Sequence, residues 1–264
     1  MTTEDFRRLH DGPIFVMPNP WDIGSARLLA SFGFSALATT SAGYAHALGR
    51  ADGSITREEA IAHAAEIVKA TPLPVNGDLE NGYGHDPATV AETVRMAIDA
   101  DLAGCSIEDA TGRPGEPIYP MDVAVERVAA AVEAAAGSGF VLTARAENYL
   151  FGIEDLADTI NRLVRFQEVG ADVVYAPGLS RLTDIAAVVA SVDVPVNVLA
   201  RAAFKVSELA EVGVIRISLG SAISRAVLGA AMRAATEITS HGTFTFADEA
   251  PGFADVERLV SGSA

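Results

Sequence analysis

Cysteine and long apolar runs are nearly absent from this chain of 264 residues. The single cysteine, Cys105, excludes an intrachain disulfide and a zinc site built from cysteines, and we expect it to be a buried core thiol. No apolar run reaches the roughly 20 residues that a membrane-spanning helix needs. Residues 1–11 are polar and lack the apolar core of a signal peptide. We therefore expect a cytoplasmic protein without a membrane partner.

Basic residues are also scarce. The chain has 19 lysines and arginines against 35 aspartates and glutamates, which gives a formal charge of −16. A chain this acidic repels nucleic acid and anionic membranes, so we expect neither as a partner. If such a protein binds an acidic substrate it needs a local cation, which a divalent metal and a few arginines could supply.

Short apolar runs alternate with longer, amphipathic, alanine-rich segments along the whole chain. Continuous apolar runs are typical of parallel strands that are buried on both faces. Eight such units without a linker predict a single α/β domain, a (β/α)8 TIM barrel, over residues 1–264 with a short C-terminal tail. A doubly wound open sheet is the structural alternative. The expected strands are 14–17, 36–39, 75–78, 104–107, 140–144, 172–176, 195–198 and 215–219.

Local signals mark several helices between these strands. Thr56, followed by two glutamates, predicts a helix N-cap, and Pro87 stands where a first helical turn begins. A long helix is expected over 221–240 and a short one over 254–260. The tail is a candidate oligomer contact.

Carboxylates follow several expected strands at the end where a barrel carries its active site. Asp78 and Glu80 come at the end of the third strand and, two apart in an extended segment, face the same side. Glu108 and Asp109 end the fourth strand, and Asp52 follows the second. Unpaired carboxylates this close repel each other, so the cluster predicts a hard divalent cation such as Mg²⁺. The alternative is that each is a helix N-cap or a solvated loop charge.

Other residues on this rim are candidates for substrate contacts. Arg145 ends the fifth strand and suits a carboxylate, which a guanidinium holds with two parallel hydrogen bonds. A salt bridge to Glu147 or to a rim acid is the alternative. Residues 39–43 are small and either leave backbone amides free for an anion or form a plain tight turn. Asn197 ends the seventh strand and either contacts the substrate or hydrogen-bonds the rim.

Six stretches of the chain, in order and spacing, resemble the isocitrate lyase/phosphoenolpyruvate mutase superfamily along nearly its whole length. They are PNPWDIGSA (18–26), TSAG (40–43), GRAD (49–52), GDLENGYG (77–84), IED (107–109) and ARAEN (144–148). The resemblance implies a barrel that exchanges its last helix with a neighbouring subunit, in a homodimer or homotetramer. It also implies cleavage or formation of a bond beside a 2-oxo acid through an enolate.

The resemblance and the rim residues together assign roles to individual positions. We expect Mg²⁺, or Mn²⁺, at Asp78, Glu80 and Glu108. We expect catalytic roles for Asp52, Arg145 and Glu108. Substrate contacts are expected from Thr40, Ser41, Ala42, Arg145, Glu147 and Asn197.

The chain departs from the superfamily's pattern in the loop after the fourth strand, residues 109–120. Isocitrate and methylisocitrate lyases carry a catalytic cysteine there, with lysines and a histidine, and this loop has none of them. Ala110 replaces the lysine typical of phosphonopyruvate enzymes, and Glu80 stands where many members have aspartate. These departures argue against isocitrate and methylisocitrate lyase activity and against phosphonate chemistry.

The function that remains is a Mg²⁺-dependent lyase for a small 2-oxo or 2-hydroxy carboxylic acid, acting by C–C cleavage or decarboxylation. Three alternatives stay open: a phosphonopyruvate-type mutase or hydrolase, a metal-dependent pyruvate aldolase, and a non-catalytic 2-oxo acid binding protein.

Overall fold

All eight expected strands form, and they pair in parallel around a nearly closed barrel. The computed structural model describes residues 3–261. The (β/α)8 class is confirmed, and the open-sheet alternative is wrong. The barrel strands are β1 (Phe15–Met17), β2 (Leu37–Ala38), β3 (Val75–Asp78), β4 (Gly104–Glu108), β7 (Val141–Arg145), β8 (Val173–Tyr175), β9 (Val196–Leu199) and β10 (Arg216–Ser218). Their order around the barrel is β1-β10-β9-β8-β7-β4-β3-β2.

The barrel closes between β1 and β2 at the carboxyl ends of the two strands, without a regular ladder. The Ala38 N–H donates to the Pro18 carbonyl at 3.0 Å. The Asn19 side-chain amide donates to the Thr39 carbonyl at 2.9 Å. These two bonds form a seam that joins the first and second strands.

Helices surround the barrel, and the main core lies between them and the strands, with Ile107, Leu142 and Phe166 almost fully buried. The predicted cap at Thr56 and the first-turn Pro87 are confirmed. Within residues 3–261, no helix is both long enough and apolar enough to cross a bilayer. The helices are α1 (Thr3–Leu9), α2 (Ile23–Ala30), α3 (Ser41–Ala47), α4 (Arg57–Ala70), α5 (Pro87–Asp99), α6 (Met121–Ala135), α7 (Leu156–Glu168), α8 (Leu182–Val189), α9 (Val206–Glu211), α10 (Ala222–His241) and α11 (Phe253–Val260).

Two short elements lie where the sequence indicated loops. The residues after β2 form the helix α3, for which Thr40 is the N-cap, so a plain tight turn is wrong there. The loop after β4 contains an antiparallel hairpin of β5 (Ala110–Arg113) and β6 (Glu116–Ile118). Both elements stand on the rim that carries the acidic residues.

Helix α1 closes the opposite, N-terminal end of the barrel. Phe6 is fully buried and packs with Met17 in a small apolar cluster. Arg7 fixes the helix through Asp172, with 2.6 Å between Nη1 and Oδ1. His10 lies at the end of this helix, with Nδ1 3.0 Å from the Phe6 carbonyl oxygen and Nε2 3.2 Å from Arg216 Nη1. The guanidinium is a donor only, so Nε2 accepts and the imidazole is neutral.

The long helix α10 and the tail after it leave many apolar side chains exposed in the single chain. Ser224 is the only buried residue that α10 contributes. The tail then returns, and α11 packs on α2, where Arg27 donates to the Val260 carbonyl at 3.0 Å. Exposed apolar residues of this region include Val227, Leu228, Met232, Ile238, Phe244, Phe246, Phe253 and Val256.

His10 is expected to make folding sensitive to acid. Burial, and then the charge of Arg216, lowers the pKa of His10 from 6.5 to about 3. The unfolded chain takes up a proton on this residue below pH 6.5 and the folded chain does not, so stability present above pH 6.5 is lost as the pH falls toward 3. Between pH 7.5 and pH 5, we predict that the native protein loses up to about 2 kcal/mol more unfolding free energy than His10→Gln. Urea unfolding at both pH values measures this, and equal losses would contradict it.

Candidate active site

Three strand ends bring the charged residues of the site together. Asp78 ends β3, Glu108 ends β4 and Arg145 ends β7, and these strands are neighbours in the barrel. The carboxyl ends of parallel strands share one rim, which explains why residues far apart in the sequence meet here. They line a cavity of about 430 Å³ that is open to solvent at the rim.

Arg145 is the centre of the charge network. Its Nη1 lies 3.0 Å from Asp78 Oδ1, its Nη2 3.2 Å from Glu108 Oε2 and its Nε 2.9 Å from Glu147 Oε1. The guanidinium carbon lies 5.2 Å from the centre of the Tyr175 ring. The salt bridges that the sequence left open as an alternative for Arg145 therefore form, to Glu147 and to two rim acids.

The charged forms of the carboxylates around Arg145 are destabilised by burial and by mutual repulsion. Burial raises the pKa of Glu108 well above its ordinary value, although Arg145 opposes the shift. Burial also raises the pKa of Glu147. One positive charge therefore faces three carboxylates in a poorly hydrated site, where like charges repel strongly.

Glu80 has an unsatisfied oxygen at the same cavity. Its Oε1 is buried and has no hydrogen-bond partner within residues 3–261. Burial, and then the charges of Asp78 and Asp52, raises the pKa of Glu80 to about 7. Its backbone φ is +49°, so the extended geometry expected for residues 78–80 is wrong, because the strand ends and the chain turns at this point. Both acids nevertheless line the cavity.

The segment after β2 supports Asp78. The Ser41 amide and the Ser41 hydroxyl both donate to Asp78 Oδ2 at 3.0 Å. The Ser41 amide therefore holds a protein carboxylate in this structure, and Ala42 follows it in the first turn of α3 at the cavity wall. Asp52 also lines the cavity, and its carboxylate accepts from the Gly53 amide at 3.0 Å.

Asn197 is held by the barrel rim. Its Nδ2 donates to Ser218 Oγ at 3.0 Å, and its Oδ1 accepts from Arg216 Nε at 2.9 Å. Asn197 is 2% exposed, and both ends of its amide have partners. The rim interpretation is therefore observed, and a substrate contact by this residue stays a prediction.

Asp109 lies outside the cavity, although it directly follows Glu108. Its Oδ2 is 2.9 Å from Arg162 Nη1, and its Oδ1 accepts from the Glu147 amide at 2.8 Å. Asp109 is buried, so it anchors Glu147 and the β4 end rather than facing a ligand. Alternation along the strand explains why neighbouring acids point to opposite sides.

Several residues that line the cavity were not predicted from the sequence. Tyr175 ends β8 under the Arg145 guanidinium, and its place at a strand end could have identified it. Leu150 and Phe151 line the cavity from a short 3-10 turn, Asn148–Phe151. Apolar residues in such a turn follow neither the helical nor the strand period, so the sequence pattern did not reveal them.

The carboxylate oxygens at the cavity could supply only part of the ligand shell of a hard divalent cation. Within residues 3–261, no three His, Cys, Asp or Glu side chains are arranged so that they could hold a metal ion. Mg²⁺ usually takes one or two carboxylates together with water and ligand oxygens, so a complete protein cage is not required. The unpartnered Glu80 oxygen, beside Asp78 and Glu108 at one cavity, fits such a site.

Comparison with known proteins identifies the family. The model described as phosphoenolpyruvate phosphomutase matches residues 6–239. A structure from Burkholderia cenocepacia, provisionally assigned as a lyase or mutase, is 53% identical, with a TM-score of 0.96 over 98% of this chain and 96% of its own. A probable 2-methylisocitrate lyase of Corynebacterium glutamicum is 31% identical over 186 residues, which are 68% of this chain and 60% of that protein.

A more distant structure shows the same fold with ligands bound. Phosphonopyruvate hydrolase, solved with oxalate and Mg²⁺, is 22% identical and has a TM-score of 0.87 over 99% of this chain and 95% of its own. The fold, the residues on the rim and the matching family model all indicate the same family. The chain therefore belongs to the phosphoenolpyruvate mutase family of the isocitrate lyase/phosphoenolpyruvate mutase superfamily, a group of lyases and mutases that act on small carboxylic acids.

Proposed function

We propose that this protein is a Mg²⁺-dependent lyase that breaks a C–C bond, or releases CO₂, at the carbon next to the oxo or hydroxy carbon of a small 2-oxo or 2-hydroxy carboxylic acid. The observation that carries the proposal is the network of Asp78, Glu108 and Glu147 around Arg145, at a cavity of about 430 Å³. A cavity of this size accommodates a small organic acid. The Mg²⁺ and oxalate held by phosphonopyruvate hydrolase support the same pairing of ligands.

Asp78, Glu80 and Glu108 are the residues that would hold Mg²⁺ or Mn²⁺. A bound cation supplies polarisation of the ligand's oxygens and neutralises charge that develops on them. Ser41 donates twice to one oxygen of Asp78, which fixes the orientation of that carboxylate. Glu80 contributes an oxygen that has no other partner in residues 3–261.

Arg145 would bind the substrate's carboxylate or stabilise the enolate left by bond cleavage. A fixed guanidinium in a poorly hydrated site stabilises developing negative charge more strongly than it would in water. Its present partners are three carboxylates, so binding an anionic ligand requires Arg145 to share or exchange at least one of them. Asp52, an exposed residue of the cavity lining, would contact the ligand or its water.

We further propose that α10 packs against a second copy of the chain, as a homodimer or homotetramer in which the last helices are exchanged. Met232 is 70% exposed and Phe253 is 82% exposed, and other apolar side chains accompany them on this helix and tail. An exposed apolar patch of this kind is typical of an oligomer interface. The cytoplasmic location expected from the sequence stays a prediction.

Turnover is expected to depend on a divalent cation. Protein stripped with EDTA should not consume any member of a panel of 2-oxo and 2-hydroxy acids that includes oxaloacetate, 2-hydroxy diacids and phosphonopyruvate. Added Mg²⁺ should restore consumption of at least one of them, and Asp78→Asn should lower kcat/KM by about 100-fold or more, which is about 2.7 kcal/mol. Equal turnover in EDTA would contradict the role of the carboxylates, and turnover of phosphonopyruvate alone would favour P–C chemistry.

Removal of the Arg145 guanidinium should destabilise the protein and increase the stabilisation that it gains from Mg²⁺. Arg145→Met leaves one buried and two partly buried carboxylates without their cation, so we predict a loss of about 3–5 kcal/mol of unfolding free energy without metal. Mg²⁺ should raise the melting temperature of Arg145→Met more than that of the native protein, because it replaces the missing charge.

The matched control for this experiment is Arg95→Met, which removes an exposed arginine that pairs with Glu92 on α5. Its stability and its response to Mg²⁺ should match those of the native protein within about 0.5 kcal/mol. A smaller Mg²⁺ response in Arg145→Met than in the native protein would show that these carboxylates do not share a metal site.

The oligomer is expected to depend on the exposed face of α10. The double substitution Leu228→Glu and Met232→Glu places charges in the proposed interface and should give a monomer in size-exclusion chromatography with light scattering. Val206→Glu adds a charge at a similarly exposed position of α9 and should leave the oligomer intact. A native protein that is already monomeric would refute the proposal.

A further inference from the structure

An enolate that forms at this cavity must gain a proton on carbon before the product leaves, and few residues can supply one. Among residues 3–261, the cavity lining contains one tyrosine, Tyr175, and no histidine, lysine or cysteine. An arginine does not serve, because a guanidinium keeps its proton in a protein. The acids assigned to the cation are ionised while they hold it, since a carboxylate binds a metal after losing its proton. Tyr175 is therefore the first candidate for the acid.

Tyr175 lies beside the residue that is proposed to bind the ligand. It ends β8 and pairs in register with Arg145 of β7 on one side and with Asn197 of β9 on the other. In-register residues of neighbouring strands point to the same side of a sheet, so these three side chains point into the barrel. The Arg145 guanidinium carbon is 5.2 Å from the centre of the Tyr175 ring. A ligand held by Arg145 would therefore lie next to the phenol.

A chain of hydrogen bonds leads through the barrel interior toward Tyr175, and its direction is fixed. It begins at Arg216, which is 1% exposed and donates through Nε to Asn197 Oδ1 at 2.9 Å. A guanidinium only donates, so this bond determines which atom of the Asn197 amide is the oxygen. Asn197 Nδ2 then donates to Ser218 Oγ at 3.0 Å.

The last link of this chain is the contact between Ser218 and the phenol. Because Ser218 Oγ accepts from Asn197, its own proton is available to the Tyr175 oxygen. Burial raises the pKa of Tyr175 to about 12, while the charge of Arg145 and a hydrogen bond with Ser218 oppose the shift. A phenol oxygen that accepts from Ser218 keeps its own proton free for donation into the cavity. The same bond stabilises the phenolate that remains after donation.

Arg216, at the start of the chain, is a buried cation that is bound by neutral groups. Besides Asn197, it contacts Thr143 Oγ1 at 2.7 Å and His10 Nε2 at 3.2 Å. Burial lowers the pKa of Arg216 to about 9, and a negative charge on Tyr175 opposes this shift. Burying a cation without a carboxylate costs free energy. A phenolate that forms during the reaction would be the negative charge that this cation stabilises.

We propose that Tyr175 is the acid that protonates C3 of a 2-oxo acid enolate, and that Arg216 is a positioning residue that acts on it through Asn197 and Ser218. This inference rests on the proposed function, since it takes bond cleavage to leave the enolate beside Arg145. The O–H bond of Tyr175 breaks, its electron pair stays on the phenolate oxygen, and the proton forms the new C–H bond at C3. The phenolate regains a proton from water after the product leaves.

The reverse of this step can be measured with pyruvate. In mildly alkaline D₂O with millimolar Mg²⁺, the full-length protein should exchange the methyl protons of pyruvate for deuterium, which proton NMR records as loss of the methyl signal. Tyr175→Phe keeps the ring beside Arg145 but has no phenolic proton, so it should exchange at least about 100-fold more slowly. Oxalate, a planar dianion that resembles the enolate, should bind both proteins with Mg²⁺-dependent affinities within about threefold in calorimetric titrations.

Tyr44→Phe is the matched control. This variant also loses only a phenolic hydroxyl, from a ring that stacks on His63 with 3.8 Å between centroids and does not line the cavity. Its exchange rate and its oxalate affinity should equal those of the native protein.

Two substitutions of Arg216 test the positioning role. Arg216→Met removes the donor that orients the Asn197 amide, so it should exchange about tenfold more slowly and still bind oxalate with Mg²⁺ as the native protein does. Arg216→Lys keeps a charge and a donor and should recover most of the rate. Equal losses in both variants, or a loss of oxalate binding that parallels the loss of exchange, would show that Arg216 is only structural.

The outcomes distinguish the assignment of the acid from the proposed function. If the native protein binds oxalate with Mg²⁺ but exchanges no methyl protons, or if Tyr175→Phe exchanges as fast as the native protein, Tyr175 is not the acid and the proposed function stands. If oxalate does not bind, or if EDTA leaves its binding unchanged, the metal-dependent function is overturned, and the assignment of Tyr175 is overturned with it.

Discussion

The ion pairs of Arg145 determine how the carboxyl end of this barrel is assembled. Asp78, Glu108 and Glu147 come from the ends of three strands, and one guanidinium contacts all of them within 3.2 Å. Carboxylates this close in a poorly hydrated site cannot all be charged without a cation among them. One arginine does not balance three acids, so the rim remains negative after the barrel has folded. This residual charge is why a divalent cation and an anionic ligand fit the site together better than either does alone.

The barrel could be predicted from sequence because burial on both faces of a strand requires a continuous apolar run. The runs at 104–107 and 140–144 and the caps at Thr56 and Pro87 are local features, and each lies where it was expected. Helix α1 and the hairpin after β4 were not predicted. The seven-residue α1 is stabilised by the burial of Phe6 in the barrel, a tertiary contact that no local pattern reveals.

The sequence predicted which residues lie at the site, but it did not predict the contacts that they make with one another. Strand ends converge in any parallel barrel, so the acids and Arg145 could be placed on one rim from their positions alone. The ion-pair partners of these residues could not be predicted. Glu108 and Asp109 are adjacent in the sequence, but Glu108 contacts Arg145 at the cavity and Asp109 pairs with Arg162 outside it. Glu80 reaches the cavity from a left-handed conformation, which is uncommon for glutamate, although Asn81 and Gly82 mark a turn nearby.

The seam between β1 and β2 has a mechanical consequence for the site. Two hydrogen bonds join these strands where a regular ladder joins the others, so this sector of the wall lacks the continuous backbone pairing of the rest. The chain runs directly from the seam into Ser41, which holds one oxygen of Asp78. The orientation of that carboxylate therefore depends on the backbone path beside the seam, whereas Arg145 ends a strand that is laddered on both sides. The barrel thus holds Arg145, Glu108 and Glu147 in its laddered half and supports one oxygen of Asp78 from the segment beside the seam.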